Sequence, residues 1–155
     1  GLWAVERKSC MKGLIQRVDE ASVSIDNELY SKIGKGILLL LGVEKGDTIE
    51  NAHKLADKIV NLRIFEDENE KMNLSLKDVK GEILVVSQFT LCGDTKKGTR
   101  PSFDKAELPT KANELYEEFL KYMGSLVEIV KHGKFGAMMK ISLVNDGPVT
   151  FMIEK

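Results

Sequence analysis

The sequence predicts an α+β fold: mixed, largely antiparallel sheets forming a barrel-like core, with two main helices. Three observations predict it. Apolar residues recur at helical spacing in two stretches, Thr48–Leu62 and a second that begins near Pro109. The other apolar segments are short and joined by turns, in the rough order β-β-β-α-β-β-α-β-β-β. The 155 residues hold no repeat, low-complexity tract or linker, so the chain reads as one domain whose core needs no disulfide staples.

Taken in order, Gly1–Cys10 has no clear period and lacks the roughly 7–15-residue apolar stretch of a signal peptide. It reads as a cloning remnant or a frayed N-terminal extension ahead of Met11, and residues 11–155 as the folded domain. Lys12–Asp19 and Ala21–Ile25 read as extended, and Asp26-Asn27 as the turn that sends Glu28–Ile33 back as a hairpin. Gly34-Lys35-Gly36 breaks the chain. Ile37–Val43 is nearly all apolar, which suits a central strand buried on both faces.

Asp47-Thr48-Ile49-Glu50 resembles a capping box. It opens a helix with Ile49, Ala52, Leu55, Ala56, Ile59 and Val60 on one face. Arg63–Phe65 is extended and Glu66–Lys71 a charged turn. Glu82–Leu91 is a second strong strand, and Cys92–Asp104, with two glycines and a proline, is a loop. Pro109 suits the first turn of a helix carrying Ala112, Leu115, Tyr116, Phe119, Leu120 and Met123, with Gly124 as its C-terminal cap. Leu126–Val130, Met139–Val144 and Val149–Ile153 complete the strands.

Composition excludes several classes of function. Apolar residues make up 43 % and charged residues 30 %, as in ordinary globular proteins. The net charge of −1, or −2 without the first ten residues, argues against a strongly basic nucleic-acid coat. The longest apolar run, Ile37–Leu41, is too short to span a bilayer. Cys10 and Cys92 cannot build a disulfide framework or an all-cysteine zinc site. His53 falls on the polar side of its helix and reads as solvated, and His132 has no ligand partner nearby in sequence, so no metal is expected. No phosphate-binding glycine motif and no GxSxG serine elbow occurs, and no cofactor is expected. Cys92 reads either as a buried thiol or as a nucleophile in the field of Lys96 and Lys97. With no signal peptide and so few thiols, the expected location is cytoplasmic.

Two polar stretches stand out. Ser87-Gln88-Phe89-Thr90-Leu91 ends the strongest strand. Three polar side chains there mean either a strand emerging into solvent or a strand end facing a ligand with its N–H groups and hydroxyls. Asn145-Asp146-Gly147-Pro148-Val149-Thr150 has the composition of a turn between two strands, and also of a rigid main-chain feature at a site.

Together, SQFTL at Ser87–Leu91 and NDGPVT at Asn145–Thr150 resemble the two signatures of the D-aminoacyl-tRNA deacylases, the D-tyrosyl-tRNA deacylase family. The flanks agree from Met11 to the C-terminus: MKGLIQRV at Met11–Val18, LRIFEDENEKMNLSL at Leu62–Leu76, KKGTRPSF at Lys96–Phe103, KANELYEEF at Lys111–Phe119 and FGAMMKISLVNDGPVT at Phe135–Thr150. The resemblance implies a homodimeric enzyme that hydrolyses the ester between a D-amino acid and the 3′ end of tRNA, a chiral proofreading step in translation. It implies active sites shared across the subunits. Ser87, Gln88, Phe89 and Thr90 of one subunit line the pocket, and a cis Gly147-Pro148 from the other enters it, with Arg17 orienting that dipeptide. Its carbonyls grip the α-amino side and leave no room for an L side chain, whereas glycine passes, so glycyl-tRNA is an expected side substrate. Phe135, Ala137 and Met139 match the stretch that receives the terminal adenine, and core packing is the alternative for these three. His132-Gly133 replaces a more usual Thr-Gly, and Met138 stands where an acidic residue is common.

A rigid wall suits this task, because two enantiomers bury the same apolar area and differ only where one of them clashes. An aminoacyl ester is already reactive, so positioning and an oxyanion hole can suffice. Phe89 and Thr90 N–H groups are expected to hold the carbonyl oxygen, with the terminal ribose 2′-hydroxyl assisting; Thr90 as a covalent nucleophile is the alternative. Other readings are a non-catalytic RNA-binding module, a Cys92-dependent hydrolase, and a related family branch with a trans Gly-Pro that accepts some L substrates. Local charge favours an RNA partner: Cys92–Lys105 carries +2 and Lys121–Ile141 carries +3, a basic rim expected to contact few phosphates of the tRNA acceptor end.

Overall fold

The computed structural model describes residues 10–155; apart from Cys10, the segment read as an N-terminal extension lies outside the described residues. The architecture is organised around one long strand, β1 (Lys12–Ile25). Its first half pairs with β3 (Gly36–Gly42) and its second half with β2 (Glu28–Ile33), while β8 (Lys140–Glu154) runs antiparallel along nearly its whole length. β6 (Glu82–Ser87) lies parallel to β3, and β7 (Val130–His132) lies parallel to β6. β2 then swings back toward β7, where Ser31 Oγ donates to the His132 carbonyl at 2.9 Å and Tyr30 meets the His132 ring edge-on. The mixed sheet thus curls almost into a barrel. A small hairpin of β4 (Phe65–Glu66) and β5 (Met72–Leu74) stands apart.

Side-chain alternation divides the core in two. On β6, Ile83 and Val85 face the layer formed by α1 (Ile49–Asn61) and α2 (Pro109–Leu126), together with Ile37, Leu39 and Leu41 of β3. Leu84 and Val86 face into the curl with Val18, Val23, Ile33 and Leu38. Burial of both faces explains the nearly continuous apolar sequences of β3 and β6. The close pairing of these strands needs Gly36: a Cβ there would sit 1.7 Å from the Glu82 carbonyl oxygen.

Several boundaries differ from those the sequence predicts. Thr48 caps α1, but its reciprocal partner is Asn51 rather than Glu50, and Asp47 instead accepts the Glu44 N–H at 2.7 Å. Ile49, at the first helical position, is 51 % exposed rather than part of the buried stripe. Gly124 does not end α2: the helix runs on to Leu126 and closes with the Val127 N–H on the Met123 carbonyl, residues 127–129 are irregular, and of the expected strand Leu126–Val130 only Val130 is extended, as the start of β7. The strand Glu82–Leu91 stops at Ser87 and passes into a 3-10 turn at Phe89–Cys92. The last two expected strands are one, β8, interrupted by a bulge. His53 is not simply solvated: it stacks on Tyr122 at 4.0 Å and meets Glu118 at 3.2 Å, joining α1 to α2.

Candidate active site

The end of β6 fixes the first signature. The Gln88 N–H donates to the Leu41 carbonyl at 2.8 Å, and the chain then tightens into the 3-10 turn. At its two ends the turn is closed by the Leu91 N–H on the Gln88 carbonyl and the Gly93 N–H on the Thr90 carbonyl. The Phe89 and Thr90 N–H groups precede these donors, as at any helical start. Gln88 Nε2 donates to Thr90 Oγ1 at 2.8 Å. The Thr90 hydroxyl is therefore held by an amide donor, and among the described residues no histidine or carboxylate hydrogen-bonds to it.

A cleft of about 630 Å³ opens beside this turn. Ser87, Gln88, Phe89 and Thr90 line one part of it and Phe135, Ala137 and Met139 another. These three alternate with exposed neighbours along the segment ahead of β8, so they are half-buried cleft walls, and Phe135 and Met139 also pack against the core. Gly133 makes room for Met139, since a Cβ there would lie 2.7 Å from the Met139 sulfur. Tyr116 ties the region together by donating to the Val85 and Gly133 carbonyls, and burial pushes its phenol pKa well up.

Several further residues line the cleft that the sequence does not single out. Phe103 packs edge-on against Phe89 at 5.2 Å, and Glu107 is the only ionisable side chain among the cleft's lining residues. They reach the cleft because bridges Asp94↔Ser102 and Glu44↔Ala106 fold the 94–106 loop back. That placement has no local sequence signal. Cys92, by contrast, is buried, and burial pushes its thiol up to about 11, with the Glu44 carboxylate adding to the shift. A buried thiol that is not among the cleft's lining residues gives no support to the Cys92-dependent hydrolase reading.

The second signature is placed elsewhere. β8 pairs with β1 on both sides of the motif, Thr150 opposite Gln16 and Asn145 opposite Val18. Residues 146–149 therefore bulge out opposite Arg17 alone. The Gly147–Pro148 peptide at the tip is cis, Gly147 has φ of 132°, and both residues are exposed. Arg17 is 4 % exposed and fastens the bulge to the body: Nε donates to the Asp146 carbonyl at 3.0 Å and Nη1 to the Ile64 carbonyl at 2.8 Å. Glu66 and Asp146 supply carboxylates at 3.8 and 3.4 Å. Neither Gly147 nor Pro148 lines the cleft of its own chain; Asp146 and Arg17 border a separate cavity of about 380 Å³. Among the described residues no group of three or more His, Cys, Asp or Glu is arranged to hold a metal.

The chain as a whole matches known proteins in fold and sequence. A solved structure described as a probable eukaryotic D-amino acid tRNA deacylase superposes with a TM-score of 0.82 over 94 % of this chain and all of its own; at 18 % identity this shows the fold alone. The family model described as D-Tyr-tRNA(Tyr) deacylase matches residues 14–154. The D-aminoacyl-tRNA deacylase of Pseudoalteromonas translucida is 61 % identical over 91 % of this chain and 97 % of its own, and that of Thermodesulfovibrio yellowstonii is 57 % identical over 92 % and 98 %. A structure described as the c-Myc DNA Unwinding Element Binding Protein is 43 % identical, with a TM-score of 0.89 over 93 % of this chain and 98 % of its own. The chain belongs to the D-Tyr-tRNA(Tyr) deacylase family.

Proposed function

We infer that this chain hydrolyses the ester joining a D-amino acid to the 3′ end of tRNA, releasing free D-amino acid and tRNA, and that each active site is assembled from two copies of the chain. Family membership supports the reaction. One observation carries the shared site: the Gly147–Pro148 bulge is exposed, fastened from below and absent from its own cleft. A symmetric dimer can bring the bulge of each copy to the cleft of the other.

In that arrangement the Phe89 and Thr90 N–H groups hold the ester carbonyl oxygen as negative charge develops on it. Gln88 shapes the pocket and holds the Thr90 hydroxyl as an acceptor. Water is the nucleophile, assisted by the terminal ribose 2′-hydroxyl. Phe135, Ala137 and Met139 receive the terminal adenine, whose flat face suits an aromatic ring and a polarizable thioether. The partner's main-chain carbonyls at Gly147–Pro148 accept from the α-amino group and block an L side chain. Glycyl-tRNA passes the same wall and is cleaved as a side reaction. Lys96, Lys97, Arg100, Lys131, Lys134 and Lys140, all exposed, form a basic rim for the acceptor end. The work is placed in the cytoplasm, where charged tRNA is used. No helix of the described residues is long and apolar enough to cross a membrane.

Subunit mixing tests the sharing. One variant blocks the cleft with Ala137→Trp and the other deletes Gly147 and Pro148. If each is inactive alone, random hybrids should recover about a quarter of wild-type activity, since half the dimers form hybrids and each hybrid holds one intact site. No recovery despite hybrid formation contradicts a shared site.

A further inference from the structure

The neck of the bulge is closed by a second set of contacts that does not involve Arg17. Asn145 Oδ1 accepts the Val149 N–H at 2.7 Å across the base of the bulge. Asn145 Nδ2 lies 2.9 Å from Thr150 Oγ1, 3.3 Å from the Val149 carbonyl and 3.3 Å from Gln16 Oε1. An amide nitrogen has two hydrogens, so three acceptors mean that one hydrogen is shared. Gln16 and Arg17 are successive residues of β1 and so project to opposite faces. The bulge is thus fastened on both faces, by Arg17 at the Asp146 carbonyl and by Gln16 through Asn145. Its tip is tightly packed as well: a Cβ on Gly147 would meet Val149 Cγ2 at 2.8 Å and Arg17 Nη2 at 3.2 Å.

We propose that Gln16 and Asn145 form a brace that sets the pose of the Gly147–Pro148 carbonyls, making both residues positioning residues for the choice between D and L substrates. This rests on the reading of Gly147–Pro148 as the stereochemical wall. A wall that works by collision is sensitive to displacements of a few tenths of an ångström, because repulsion rises steeply with approach. A D side chain points away from the wall, so such a shift acts on a D substrate only through its α-amino contact. Loosening the brace therefore raises activity on L substrates more than it lowers activity on D substrates.

The test compares Gln16→Leu, which removes the acceptor at similar size, with Gln16→Glu, which keeps it. kcat/KM is measured on D-tyrosyl- and L-tyrosyl-tRNA alongside the unfolding temperature. Gln16→Leu is expected to lower the D-to-L ratio at least about tenfold, or ~1.4 kcal/mol, mainly by raising the L rate, while Gln16→Glu stays near wild type. Thr150→Val, which removes another Asn145 acceptor, should move the ratio the same way, and it carries the test if Gln16→Leu does not fold. An unchanged ratio with a lowered unfolding temperature overturns the proposal and leaves the network a purely structural one. Equal losses on both substrates overturn it too. Failure of the wild-type protein to prefer D substrates is a different result, one that overturns the underlying reading rather than the brace.

Discussion

Replacing Arg17 with methionine should be among the most costly single changes near the site, and its size follows from the bonds it breaks. The guanidinium is buried and gives two hydrogen bonds to main-chain carbonyls, those of Asp146 and Ile64. Bonds from a charged donor contribute about 1.5–3 kcal/mol each. The Glu66 and Asp146 carboxylates are about half exposed and regain water when released, so the ion pairs add less than about 1 kcal/mol. Methionine recovers part of the loss through the packing of its stem. The expected net destabilisation is ~3 kcal/mol. Arg17→Lys keeps the charge, but one ammonium does not reach both carbonyls in the same geometry, so it should cost about half as much. The assay is urea unfolding at fixed protein concentration, extrapolated linearly to water, paired with the D-to-L ratio of hydrolysis. A stability within about 1 kcal/mol of wild type with unchanged selectivity refutes the claim that Arg17 anchors the bulge.

Other outcomes follow from the same geometry. Thr90→Ala should lose less than about 10³-fold in kcat, since a larger loss, above ~4 kcal/mol of barrier, signals covalent catalysis by the hydroxyl; steady-state kinetics on D-tyrosyl-tRNA decide it. The Cys92 thiol is raised from 9.0 to about 11 by burial, so the folded state holds that proton more tightly than the unfolded chain. Its contribution to stability is then complete below pH 9 and lost as pH rises toward about 11; unfolding midpoints across that range should fall, and less so in Cys92→Ala. Binding of tRNA should show a shallow salt dependence, about two to four phosphates at ~0.7–0.9 per phosphate, measured by titration at several salt concentrations; a slope equivalent to eight or more contradicts an acceptor-end footprint.

Much of the fold is legible in the sequence where local pattern and burial coincide. The stripe from Ala52 to Val60 is the buried face of α1, and the runs Ile37–Val43 and Ile83–Val86 are strands buried on both sides because helices cover one face and the curled sheet the other. The misses have physical causes. Asn145–Thr150 carries the composition of a turn and does leave the strand line, but the flanking segments both pair with β1 in one direction. A turn that returns the chain to the same line is a bulge, and only the partner strand's register distinguishes it from a hairpin. Gly124 has the look of a helix terminator, yet α2 continues through it because Tyr116, Phe119 and Met123 are already locked in the core. The motif residues of the cleft are visible through family resemblance, whereas Phe103, Glu107, Gln16 and the role of Asn145 depend on long-range contacts that no spacing reveals.

The most direct measurement is release of amino acid from D-tyrosyl-tRNA and L-tyrosyl-tRNA by the purified protein under identical conditions. Rapid release from the D form, measurable release from glycyl-tRNA and far slower release from the L form are expected. Binding of tRNA without turnover, or equal hydrolysis of the D and L esters, contradicts the proposed reaction.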